Sequence, residues 1–208
     1  MRNRLLLIAI VAIIAYMWWN HESAVVVLSA PPEVNLPTVP VSEAPLQRDI
    51  SNGPVFKVNG YDLHALATYS ATARVLSTER YSFGVEADLS PLDVALGWGR
   101  MAKPEVINKL TISQGGRFYQ WRYSNAPPIP IDEIVQSSAN THIIPASAEV
   151  TRALAHVSTG ANGDIISLKG YLVEATKPDG WHWRSSLTRQ DSGDHACELF
   201  YVQSASLE

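Results

Sequence analysis

Asp164-Ile-Ile-Ser-Leu-Lys-Gly-Tyr-Leu-Val-Glu-Ala175, the turn Lys177-Pro178-Asp179-Gly180 and the return Trp181-His-Trp-Arg184 form the stretch whose reading decides the fold. Its β-branched and aromatic residues, interrupted by proline, aspartate and glycine, predict a long strand over 164–175 and an antiparallel partner over 181–189. Strand parity then places Trp181 and Trp183 on one face and His182 and Arg184 on the other. After Asp191-Ser192-Gly193-Asp194, a second turn, Cys197 to Val202 predicts a last strand.

Towards the N-terminus, Ser147 stands before Val150, Ala153, Leu154 and Val157, which share one face of a helix that Gly160 ends. Arg117-Phe-Tyr-Gln-Trp-Arg-Tyr123 follows Gly115-Gly116 and reads as a strand closed by Pro127, Pro128 and Pro130. Ser90-Pro91-Leu92-Asp93 predicts a short helix running to Gly97 or Gly99, and Lys103-Pro104-Glu105 predicts another through Leu110. From Thr68, the residues Tyr69, Ala71, Ala73 and Val75 alternate with Thr68, Ser70, Thr72 and Arg74, the period of a half-buried strand. Strand, short helices, strand, helix and three strands make an α+β domain with two or three short helices and a β-rich C-terminal half.

Three segments are expected along the chain. Met1-Arg-Asn-Arg4, fifteen uncharged residues from Leu5 to Trp19, and Asn20-His21-Glu22 predict a signal anchor over 1–22. The run is short for a bilayer core. Leu28-Ser29-Ala30 is a poor cleavage site ahead of Pro31 and Pro32, and Trp18 and Trp19 suit the far interface, so retention is expected. Arg2 and Arg4 orient the N-terminus to the cytoplasm. Six of 13 prolines lie between Pro31 and Pro54, which predicts an extended, semi-stiff linker over 23–54 or an arm packed on the domain. The α+β domain then occupies 55–208 outside the cytoplasm.

Composition excludes more than it assigns. Of 208 residues, 46% are hydrophobic and 17% charged, as in a folded protein. Beyond residue 30, 14 basic residues face 19 acidic ones, which disfavours a nucleic-acid partner. Cys197 is the only cysteine, so no intramolecular disulfide forms.

Asp88-Leu-Ser-Pro-Leu-Asp-Val-Ala-Leu-Gly-Trp-Gly99, Ser138-Ala-Asn-Thr-His-Ile-Ile-Pro-Ala146 and Ser185 to Gly193 with Ala196-Cys-Glu198 resemble a family of uncharacterised bacterial membrane-anchored proteins, over roughly residues 65 to 203. The resemblance implies a single-pass protein of the bacterial inner membrane with a periplasmic or extracellular domain. It implies no activity. Gly163-Asp-Ile-Ile-Ser-Leu-Lys-Gly170 with its hairpin is separately similar to OB-type barrels.

Candidate chemistry begins with Cys197 as a nucleophile, His142 or His195 as base and Asp191 or Asp194 as orienter. Against this, Cys197 shares strand parity with Leu199 and Tyr201, the place of an inert packed thiol. The histidines and Cys197 match no zinc spacing, and no serine-hydrolase or phosphate-loop pattern occurs, so no metal or cofactor is expected. The richer signal is aromatic and cationic. Trp98, Arg100, Trp121, Arg122, His142, Trp183 and Arg184 are the candidate binding residues, because tryptophan and arginine dominate interface hot spots. The tryptophans serve equally well as core. A membrane-tethered, non-catalytic module that binds an envelope protein is therefore expected, with a Cys197 hydrolase or transferase, or an OB-like binder of oligosaccharide or nucleic acid, as alternatives.

Overall fold

The computed structural model describes residues 29–188 and 196–208. The predicted anchor over 1–22 lies outside them, as do His195, Asp191 and Asp194; among the described residues no helix is long and apolar enough to cross a membrane. In chain order the elements are β1 (Leu46–Asp49), β2 (Val55–Val58), β3 (Tyr61–Arg80), α1 (Val85–Leu89), β4 (Leu92–Gly97), a 3₁₀ turn (Gly99–Ala102) and α2 (Pro104–Ile107). There follow β5 (Thr111–Gly115), β6 (Phe118–Arg122), α3 (Ile131–Gln136), β7 (Ser138–Pro145), α4 (Ala148–Ala155), a second 3₁₀ turn (Gly160–Asn162), β8 (Ile165–Thr176), β9 (His182–Arg184) and β10 (Glu198–Leu207). The content is α+β, rich in sheet.

Five strands close on themselves. β3 pairs with β4, β4 with β7, β7 with β10, β10 with β8, and β8 returns to β3; only the β7–β10 pair is parallel. One strand joins both halves of the circuit because β3 is 20 residues long and its register shifts between Ala65 and Ala67 and again between Val75 and Ser77. Such bulges bend a strand and sharpen its twist, which closure requires. The alternation read from Thr68 to Val75 is borne out: Tyr69, Ala71, Ala73 and Val75 point into the barrel with Val94, Leu96, Ile143, Leu168 and Phe200. Small alanines there make room for Tyr69 and Phe200, whose rings meet edge-on at 5.2 Å. Gly170 is fixed by packing, since a Cβ would overlap the Tyr201 carbonyl oxygen. The Ser147 hydroxyl accepts from Val150 N, as the cap predicts, and Val150 and Leu154 of α4 complete the barrel core.

Two expectations fail for physical reasons. Residues 92–97 are a strand, and the short helix lies earlier, in α1, with Ser90 at its C-terminal end. A six-residue run buried on both sides carries no polar stripe, so hydrogen bonding to β3 and β7 decides its conformation. Nor does the Pro-rich segment from residue 31 stand away from the domain. Val34 and Leu36 are buried beside Tyr171 and Tyr201, β1 pairs with β3, and the Pro32 carbonyl accepts hydrogen bonds from Tyr171 Oη and Gln203 Nε2. The prolines lack donors and keep the chain extended, yet their carbonyls remain free to dock. Ser138–Pro145 form β7, between β4 and β10, and neither this strand nor α3 is marked by periodicity in the sequence.

Candidate functional site

The outer face of β4 and β7 carries polar side chains where a barrel wall would be apolar or wet. Asp93 on β4 lies opposite His142 on β7, and Ala95 opposite Asn140. Because Leu92, Val94 and Leu96 turn into the barrel, Asp93 must point out. There the β5–β6 hairpin covers it.

That hairpin turns through Gly116 and Arg117, both at left-handed φ (59° and 71°), the geometry of a tight two-residue turn. Glycine tolerates this conformation; arginine adopts it at a cost in strain. Its side chain is what holds it there. Arg117 Nη1 donates to Asp93 Oδ1 at 2.6 Å, Nη2 to the Ser90 carbonyl at 2.9 Å, and the guanidinium lies 3.7 Å from the centroid of Tyr81. The backbone N–H of the same residue donates to Tyr81 Oη at 2.9 Å. One residue thus fastens the hairpin to the loop between β3 and β4.

Beneath it, Asp93 has a fully buried side chain. Its Oδ1 lies 2.8 Å from His142 Nδ1, and Oδ2 lies 3.4 Å from Asn140 Nδ2. Asn140 also donates to the Arg117 carbonyl at 3.0 Å, and its Oδ1 accepts from Gln114 Nε2 at 2.6 Å. Cys197 borders the cluster, its Sγ 3.7 Å from Asn140 Nδ2 and 3.9 Å from the Arg117 carbonyl oxygen. Burial pushes the Cys197 thiol up to about 11; the Asn140 contact opposes this, and the charges of Glu198 and Asp93 reinforce it. No hydrogen bond joins Cys197 to His142 among the described residues, and His195, the other expected base, lies outside them.

Above the cluster opens a cavity of about 320 Å³. Trp181, His182, Trp183 and Arg184 line it from the β8–β9 side, Phe118 and Arg117 from the hairpin tip, and Glu86 from α1, with His142 and Cys197 at its floor. The Trp183 ring lies 4.6 Å from His142, and Trp181 meets Trp183 edge-on at 6.3 Å. Arg184 reaches Glu174 at 2.6 Å.

Of the residues expected to bind, His142, Trp183 and Arg184 come together here with Cys197. The others do not. Trp98 is buried in the barrel core and, with Arg100, which is ion-paired to Glu133 at 2.9 Å, borders a separate hollow that Lys103 and Ser137 also line. Trp121 packs under the hairpin beside Tyr119, whose hydroxyl burial pushes up to about 12, and Arg122 lies on the exposed face. Asp93 was missed as a site residue because its segment was read as a helix. Read as a strand, an aspartate among Leu92, Val94 and Leu96 is itself the signal of a buried polar contact. Comparison with protein-family models, with curated proteins and with solved structures finds no match to this chain.

Proposed function

We propose that the chain is a membrane-tethered, extracytoplasmic binding module, built on a barrel of OB-type connectivity, that holds an envelope component in the aromatic cavity over β4 and β7. The observation that carries this reading is that cavity: concave, lined by two tryptophans and a phenylalanine, and floored by a hydrogen-bonded polar cluster. The connectivity supports it. In OB barrels five strands form the circuit, ligands lie over the second and third, and flanking loops shape the groove. Here those strands are β4 and β7, and the flanking segments 81–91 and 177–197 supply Glu86, the two tryptophans and Cys197.

The thiol enzyme is the weaker alternative, because burial raises the Cys197 thiol to about 11 and no described histidine hydrogen-bonds it. Nucleic acid is disfavoured too, since Arg117 and Arg184 are each ion-paired to a carboxylate. The export signal read at residues 1–22 and the resemblance to bacterial membrane-anchored proteins support the location.

Beside whatever the cavity holds, exposed Phe83, Val85 and Phe118, the last of which lines the cavity, are apolar surface that an envelope protein would cover. A photo-crosslinking residue at Phe118 in intact cells tests the module reading, with exposed Val55 as control. A discrete adduct at 118 and none at 55 is expected; equal labelling at both positions overturns it.

A further inference from the structure

His142 is 3% exposed, and its two nitrogens have different surroundings. Nδ1 faces Asp93 Oδ1, an oxygen that also receives Arg117 Nη1, while Asn140 approaches Oδ2. The Asp93 carboxylate can only accept, so Nδ1 donates to it, and Nε2 is the ring nitrogen left to meet whatever enters. Among the described residues Nε2 has no hydrogen-bond partner, and its ring lines the cavity. A polar atom so deeply placed and unengaged is aimed at something that enters.

The walls restrict what enters. Trp181 and Trp183 stand nearly perpendicular at 77°, presenting two aromatic surfaces with Phe118 opposite on the hairpin tip. The two arginines among the described lining residues are already paired, Arg117 with Asp93 and Arg184 with Glu174, and Glu86 adds a carboxylate, which disfavours a phosphate or carboxylate ligand. Aromatic walls suit the C–H faces of a ring, and a ring nitrogen at the floor suits a hydroxyl, which can donate or accept. We infer that the cavity takes a neutral saccharide ring packed against the indoles, with His142 Nε2 sharing a hydrogen bond with one ligand hydroxyl. This rests on the binding-module reading and adds the ligand's chemistry and the residue that selects it.

The test is titration of the full chain in detergent, followed by tryptophan fluorescence and calorimetry. The probes are trimers of N-acetylglucosamine, glucose and galactose, with a uronic-acid trimer and oligothymidylate as charged comparators. Saturable binding of at least one neutral trimer is expected, together with a tenfold or greater loss in His142→Asn, which keeps a donor towards Asp93 and removes Nε2. His142→Gln, with an amide oxygen near the Nε2 position, should recover part of the affinity. A monodeoxy analogue lacking the selected hydroxyl should bind wild type and His142→Asn alike.

The inference is overturned if no neutral trimer saturates, if a charged probe binds more tightly than every neutral one, or if folded His142→Asn binds like wild type. Should His142→Asn fail to fold, the monodeoxy series on the wild-type chain decides: an affinity unchanged by every single hydroxyl deletion overturns it. A specific Phe118 adduct alongside failed neutral probes removes the saccharide and leaves the module; equal labelling at Phe118 and Val55 removes both.

Discussion

At the scale of single residues, Asp93 is the side chain on which the site depends. It accepts from an arginine, a histidine and an asparagine with no exposed surface of its own, so its removal strands three donors in a low-dielectric space. Asp93→Ala should destabilise the domain by about 3–5 kcal/mol, measured by urea unfolding, whereas removal of an exposed acid such as Asp62 should cost under about 1 kcal/mol. Cys197 makes a second expectation. Its thiol is held at about 11 against an ordinary 9, and Tyr119 and Tyr201 are raised by burial to about 12 from 10. In each case the native state keeps a proton that the unfolded chain gives up. Stability is therefore full below about pH 9 and falls as pH rises towards 11 and 12. Unfolding midpoints from about pH 8 to about pH 11 should decline, and Cys197→Ser should delay the onset of that decline. A midpoint that rises over this range would contradict the burial of these groups.

At the scale of elements, the sequence was most readable where polar and apolar residues alternate or a cap marks the start, even though Ser70, Thr72 and Ser167 are themselves buried. The Tyr69-to-Val75 alternation, the Ser147 cap with Val150 and Leu154, and the strand over 164–175 carry local signals that agree with their surroundings. β4 and β7 do not, because both faces are covered: one by the barrel core, the other by the hairpin or the polar cluster. Periodicity vanishes in such segments, and the reading of Ser90-Pro91-Leu92-Asp93 followed the turn chemistry instead. The site inherited the error, since Asp93 sits on β4 and Asn140 and His142 on β7. Proline density misled in a similar way over 31–54, where Val34 and Leu36 outweigh the composition. Leu36→Ala tests this directly. An arm seated in the second core should lose about 2–5 kcal/mol in thermal or urea unfolding, while a detached linker would lose nothing.

At the scale of the whole molecule, three apolar clusters surround the β3–β4–β7–β10–β8 circuit: one inside it, one beneath the N-terminal arm and one beneath the β5–β6 hairpin and α3. The barrel is therefore clad on much of its outer surface, and the cavity opens where the hairpin tip, α1 and β9 leave a gap. The gap is assembled from distant stretches, residues 86, 117–118, 142, 181–184 and 197, so spacing in the sequence could nominate His142, Trp183, Arg184 and Cys197 but not show that all four share one cavity.

The parallel pairing of β10 with β7 sets a timetable for the newly made chain. β10 lies between β7 and β8, so two walls of the barrel have no common neighbour until residues 198–207 are available. The central sheet is completed only once residues 198–207 have been made. Such late closure delays shelter of the Val94, Ile143 and Leu168 surface from holdase chaperones and proteases.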